Sequence, residues 1–115
     1  MSFMHKELAA GRWNSMSLLE QLANIGSEVD RALRWKAKGN SESCERARDR
    51  ALELFYFTVD CPSNRDRLKE IVRAREVFLD FLVGENEYGS TAESLSRYYL
   101  AYATAWRLKR HRSAQ

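Results

Sequence analysis

One proline, five glycines and two cysteines in 115 residues leave little that could interrupt the chain or cross-link it. With so few breakers, and with Ala, Leu, Arg and Glu abundant, helix is the expected state throughout. Cys44 and Cys61 are too few and too far apart for a zinc site or a CxxC redox pair, so free thiols are expected. No apolar run approaches the ~18 residues of a bilayer span, and no secretory hydrophobic core follows the amino terminus. The expectation is a cytoplasmic protein that does not enter a membrane. The chain also lacks a Gly-rich phosphate loop, a nucleophile elbow and a Glu-x-x-His pair at helical spacing. An Arg-x4-6-His ribonuclease pattern of the helical HEPN type fails too, because only three residues separate Arg107 from His111. A protein without catalytic residues, metal or cofactor is the better reading.

What is present is a globular composition, 44% hydrophobic and 30% charged, in a length suited to one domain with a core of its own. The stretch Asn64–Val83 is the longest well-patterned helix candidate. Leu68, Ile71, Val72, Phe78, Leu79 and Leu82 recur along one face at three- and four-residue spacing, which marks it as the expected central helix of a bundle. Arg75 falls on the line from Leu68 to Leu82 where an apolar side chain would stand. It either lies at the margin of the stripe with its methylenes on apolar neighbours, or pairs across an interface.

Three further helices are expected. Ser17 and Glu20 make an S-x-x-E capping box ahead of an apolar face of Leu18, Leu22, Ile25, Val29, Ala32 and Leu33. Gly26 within it costs roughly 1 kcal/mol against alanine unless a neighbour uses the gap. Gly39 is a natural stop, and Asn40 or Ser41 a start, for a helix whose inner face is Cys44, Ala47, Ala51, Leu54, Phe55 and Thr58. Tyr56 and Phe57 fall outside that face and form the expected interface patch. Arg46, Arg48 and Arg50 alternate with acids, as solvated i,i+3 and i,i+4 pairs do. Asp60–Ser63 ends this helix, and Ser63 or Asn64 caps the next. Ser90 and Glu93 form a second box opening the last helix, whose face carries Leu95, Tyr98, Tyr99, Tyr102, Ala105 and Trp106. Tyr98 and Tyr102 join the expected interface. Residues 1–14 read as an arm or short helix, with Trp13 a packing anchor and His5 a surface residue. The fold class is therefore all-α, an up-down-up-down four-helix bundle with a short amino-terminal arm.

Charge points to a partner. Formal charge is +3, and all of the excess lies in the second half: residues 1–60 carry nine basic and nine acidic side chains, residues 61–115 ten and seven. Fourteen of the nineteen basic residues are arginine, the side chain suited to bidentate phosphate contacts. Residues 107–115 read as a basic tail with more cations than one helix dipole requires. Arg73, Arg97, Arg107, Lys109, Arg110 and Arg112 are the candidate phosphate contacts, for RNA or DNA with little base specificity. The other reading is a protein-interaction adaptor acting through Tyr56, Phe57, Tyr98 and Tyr102.

The helix plan, length and basic charge, with NIGSEVDRAL in the first helix and LKEIVRAREVFLDFL in the third, are similar to a known family. It comprises the four-helix-bundle proteins encoded in intervening sequences of large-subunit ribosomal RNA and the accessory variability determinants of diversity-generating retroelements. The aromatic-rich fourth helix and the EYGST link are not part of that resemblance. The resemblance implies a homopentamer with a basic surface that binds nucleic acid and, in the retroelement branch, partners a reverse transcriptase.

Overall fold

The computed structural model describes residues 11–114, with side chains to Arg112. These residues form an all-α bundle of four helices, α1 (Leu18–Ala37), α2 (Ser41–Asp60), α3 (Leu68–Leu82) and α4 (Ala92–Ala114), and no strand is present among them. The expectations for Phe3, Met4, His5 and Leu8 lie outside the described residues.

Helix ends follow local chemistry. The Ser17 hydroxyl oxygen accepts the Glu20 amide at 3.2 Å and opens α1. At the other end Gly39 takes φ +73°, its amide donating to Lys36 O and the Asn40 amide to Trp35 O. This is a Schellman stop, and glycine is what allows its left-handed turn. The Asn40 side chain then accepts the Ser43 amide at 3.0 Å and starts α2 with almost no linker.

Two expected boundaries move. Asn64–Arg67 does not belong to α3, because Pro62–Arg67 is a 3₁₀ turn and α3 begins at Leu68. Neither Ser63 nor Asn64 caps α3, since Asn64 is buried and its amide donates to Gln21 Oε1 at 2.8 Å and Thr58 O at 2.9 Å. A side chain so engaged serves the core instead of the helix start. The box at the head of α4 is shifted by one residue: Thr91 Oγ1 accepts the Ser94 amide and Ser94 Oγ accepts the Thr91 amide, both at 2.9 Å. Serine at the fourth position does here what Glu93 was expected to do.

The central helix is α1, not α3. It packs along both α2 and α4, whereas α3 leans mainly on α2. The reason is the width of the buried face. Leu22, Ile25, Val29, Ala32 and Leu33 are buried as expected, and Gln21, Gly26 and Glu28 join them, so α1 is covered on two sides. Gly26 lets α4 approach, since a Cβ there would sit 2.6 Å from Tyr99 Cβ. The buried line of α3 is narrower, Ile71, Ala74, Phe78 and Leu82. It runs to one side of the Leu68–Arg75–Leu82 line, which leaves Arg75 half-buried at the margin.

Phe57 is not on the outer side of α2. It is 8% exposed and part of the core, while Tyr56 beside it is 55% exposed. The face of α2 is wider than a single seam because it is covered by α1, by α3 and by the 3₁₀ turn Trp13–Ser15 as well.

Polar side chains pin that end of the bundle. Trp13 Nε1 donates to Thr58 Oγ1 at 3.0 Å, Gln21 Nε2 donates to Trp13 O at 2.9 Å, and Asn64 closes the ring through Gln21 and Thr58. Cys61, 1% exposed, lies against Gln21 Nε2 at 3.6 Å. Trp13 is thus the packing anchor its position suggested. Midway along the bundle Glu28, 8% exposed, accepts from Arg31 and from Arg50, both at 3.1 Å. Arg50 therefore ties α2 to α1, whereas Arg46–Glu42 is the solvated i,i+4 pair expected of the interleaved charges.

Candidate nucleic-acid interface and the adjoining cleft

α4 spans about 34 Å at 1.5 Å per residue, and two halves of it do different things. The first half is docked. Leu95 and Tyr99 are buried, Tyr99 fits over Gly26, and Ser96 Oγ donates to Asp30 Oδ1 at 2.8 Å. The second half carries the cations. Residues 107–112 are helical, not an extended tail, and Arg107, Lys109, Arg110 and Arg112 are all exposed.

At 100° per residue those four positions do not share one stripe; they encircle the helix end. Lys109 and Arg112 stand beside Leu19 at the start of α1, and the Arg110 guanidinium lies 5.8 Å from the Trp106 ring centre. Among the described residues none of the four is ion-paired, whereas Arg31, Arg46, Arg48, Arg50 and Arg67 each meet a carboxylate. The cations of α2 are spent on neighbours; those of the α4 end face solvent and the negative pole of their own helix.

Arg97 and Arg73 are not part of this cluster. Arg97 is exposed on the outer face of α4, ten residues and therefore about 15 Å of helix before Arg107. Arg73 lies on α3, its guanidinium 5.6 Å from the Tyr88 ring centre. The EYGST link accounts for that neighbour. Asp80 accepts the Glu87 and Tyr88 amides at 2.8 and 3.0 Å, Asn86 takes φ +55°, and its side chain accepts the Ser90 amide at 2.8 Å. The link is thus a built loop that seats Tyr88 beside Arg73.

Between α3 and α4 is a cleft of about 400 Å³, with Arg73, Val77, Leu95, Tyr98 and Tyr99 in its wall. Tyr98 stands edge-on to Tyr99 and Tyr102, with ring centres 4.9 and 5.2 Å apart. One end of the cleft is bridged by Tyr102, whose hydroxyl donates to Glu70 Oε1 at 2.5 Å. Arg67 donates to the other oxygen of Glu70 from Nε at 2.9 Å and Nη2 at 2.6 Å. The Tyr102 hydroxyl and the Arg67 guanidinium hold the Glu70 carboxyl below its usual range. Burial and the carboxylate beside it push Tyr102 up, and burial does the same to Tyr99.

Of the aromatics read as an interface, then, Phe57 is core and Tyr102 ties α4 to α3, leaving Tyr56 at 55% and Tyr98 at 38% exposure. Leu100 and Leu108, on the outer face of α4, are 56% and 55% exposed and were not singled out from sequence. The signal was available: on the helical wheel Leu108 falls opposite Tyr99 and Leu100 about 100° from it, both outside the buried line of Leu95 and Tyr99. Among the described residues no helix is long and apolar enough to cross a membrane, and no cluster of three or more His, Cys, Asp or Glu could hold a metal ion. No family model matches the chain, and no curated protein or solved structure is significantly similar to it.

Proposed function

We propose that this is a non-catalytic accessory protein that binds nucleic acid through the end of α4. The observation that carries the reading is the set Arg107, Lys109, Arg110 and Arg112, four exposed cations within six residues of one helix end and none of them ion-paired among the described residues, whereas all three arginines of α2 meet a carboxylate. Cations that encircle a helix end meet phosphates from several directions but present no row that could read base edges, so contacts to the backbone dominate. RNA and DNA are both suitable targets. A homo-oligomer, pentameric in the family it resembles, and a reverse transcriptase partner rest on that resemblance alone. An oligomer would present several such helix ends to one polyanion and raise avidity.

Four phosphate contacts give a logarithmic salt slope of about −3.6 on duplex DNA and about −2.8 on single strands, so duplex affinity falls roughly a hundredfold between 50 and 200 mM salt. Sedimentation of the protein with mixed RNA and DNA across that range tests the reading. A Lys109→Glu, Arg110→Glu double reversal is expected to abolish co-sedimentation at low salt. Binding that survives the reversal, or no binding at any salt, refutes it.

A second reading, a protein-interaction adaptor, is favoured by the exposed Leu100 and Leu108. It expects association that is insensitive to salt and lost in a Leu100→Lys, Leu108→Lys variant.

A further inference from the structure

The α3–α4 cleft has features that contact with a polyanion does not use. Its wall is mostly apolar, formed by Val77 and Leu95 and by the Tyr98 and Tyr99 rings, and its volume of about 400 Å³ is that of a small-ligand pocket. It is bounded at both ends. Tyr102 and Glu70 bridge the helices at one end, and the loop that carries Tyr88 and Ser90 joins them at the other. A partner helix cannot be threaded along a groove closed in this way, whereas a compact molecule can enter from the side.

One charge at the rim has no internal use. Arg73 makes no ion pair among the described residues, and the Tyr88 ring supports it at the wall of the cleft, seated by Asp80 through the Tyr88 backbone amide and by a 3.4 Å hydrogen bond from the Tyr88 hydroxyl to Glu76. The acid nearest the apolar wall is already satisfied, since Glu70 takes a hydrogen bond from Tyr102 and two from Arg67. An incoming anion therefore meets a guanidinium without displacing a carboxylate from it. A single arginine fork matches one planar carboxylate, and of the two serines also in the lining Ser94 already donates its hydroxyl to Thr91 O.

We propose that the cleft between α3 and α4 binds a small amphiphilic carboxylate, its acid group on Arg73 and its apolar body against Val77, Leu95, Tyr98 and Tyr99. The apolar walls supply affinity, and Arg73 supplies discrimination between an acid and its neutral analogue. This site is independent of the α4 end: Tyr98 and Arg107 are separated by nine residues, about 13 Å of helix.

The test uses octanoate and octanol as probes on the full-length protein, with calorimetry for affinity and the amide resonances of Leu95 and Tyr98 to locate binding. Octanoate is expected to bind saturably and about tenfold or more tightly than octanol, the size of one charge-assisted hydrogen bond. Arg73→Gln, a change at an exposed position, is expected to remove that preference and leave octanol binding as it was. Val77→Phe, which fills the cleft from its wall, is expected to exclude both probes; should this variant fail to fold, Arg73→Gln decides alone. Equal affinity for acid and alcohol, a preference that survives Arg73→Gln, or the absence of saturable octanoate binding up to roughly millimolar concentration would each overturn the proposal.

Discussion

Alanine at position 26 sets a favourable local effect against an unfavourable tertiary one, and the structure says which prevails. In a helix interior Gly→Ala gains about 1 kcal/mol. Here the added Cβ would stand 2.6 Å from Tyr99 Cβ, 3.1 Å from its Cγ and 3.4 Å from its Cδ1. Carbon atoms prefer roughly 3.5–4.0 Å, so the backbones of α1 and α4 must separate by about 1 Å. Overpacking of this kind costs about 1–3 kcal/mol, and because the nearest atom belongs to the stem of Tyr99, a ring movement alone does not relieve it. The expected outcome is a net loss of about 0–2 kcal/mol, with the midpoint of urea unfolding lowered and its slope unchanged. Alanine retains Cβ, so most of the Gly26→Ala penalty should persist in a Tyr99→Ala background. A Gly26→Ala protein more stable than the parent would refute the close approach of α1 and α4. So would full recovery of the penalty on truncating Tyr99.

Three further outcomes follow from the same packing. Gln21→Ala removes the acceptor of Asn64 and the donor to Trp13 O inside a buried ring, and should lower unfolding stability by about 1–3 kcal/mol. Tyr102→Phe should raise the Glu70 carboxyl toward its ordinary range, as read by carboxylate titration in NMR. Because Glu70 is lowered in the folded state, its contribution is complete above the ordinary glutamate pKa of about 4.3 and is lost as pH falls through the folded value. The stability difference between parent and Tyr102→Phe should accordingly shrink on acidification. Tyr102 itself is raised, so its contribution is complete below the ordinary tyrosine value of about 10 and is lost as pH rises beyond it. A thiol reagent should label half-buried Cys44 in the native protein and reach Cys61 only on unfolding, with labelling rate the readout.

Features that depend on a few neighbouring residues were legible in the sequence. The Ser17 cap, the Gly39 stop and the Asn40 start are settled within six residues of chain, and Gly26 announced a close approach because a helix-interior glycine otherwise costs stability. The starts of α3 and α4 were misplaced for two different reasons. Asn64 and Ser90 have the chemistry of caps, but Asn64 is claimed by Gln21 across 43 residues and the box at α4 is completed by Ser94 instead of Glu93. The first is a long-range hydrogen bond that leaves no local trace; the second is a local choice between two overlapping boxes, Ser90–Glu93 and Thr91–Ser94, that differ by one residue. Phe57 was misassigned because a helical wheel shows one face, and α2 is covered from more than one side.

The exchange of centre from α3 to α1 also explains why the cleft was not visible in advance. Apolar periodicity measures how well a helix can pack on one side, and by that measure Leu68–Leu82 is the best segment of the chain. Centrality requires burial on two sides, and that depends on small or polar residues such as Gly26, Gln21 and Glu28, which score poorly for hydrophobicity and yet are buried. Once α1 takes α2 on one side and α4 on the other, α3 rests mainly on α2 and meets α4 through the Tyr102–Glu70 bridge. A helix so placed cannot close the space in front of Tyr98 and Tyr99. The aromatic stripe of α4, read from sequence as one surface, is therefore divided by depth: Tyr99 into the core, Tyr102 into a bridge, and Tyr98 into the wall of a cleft whose rim is Arg73.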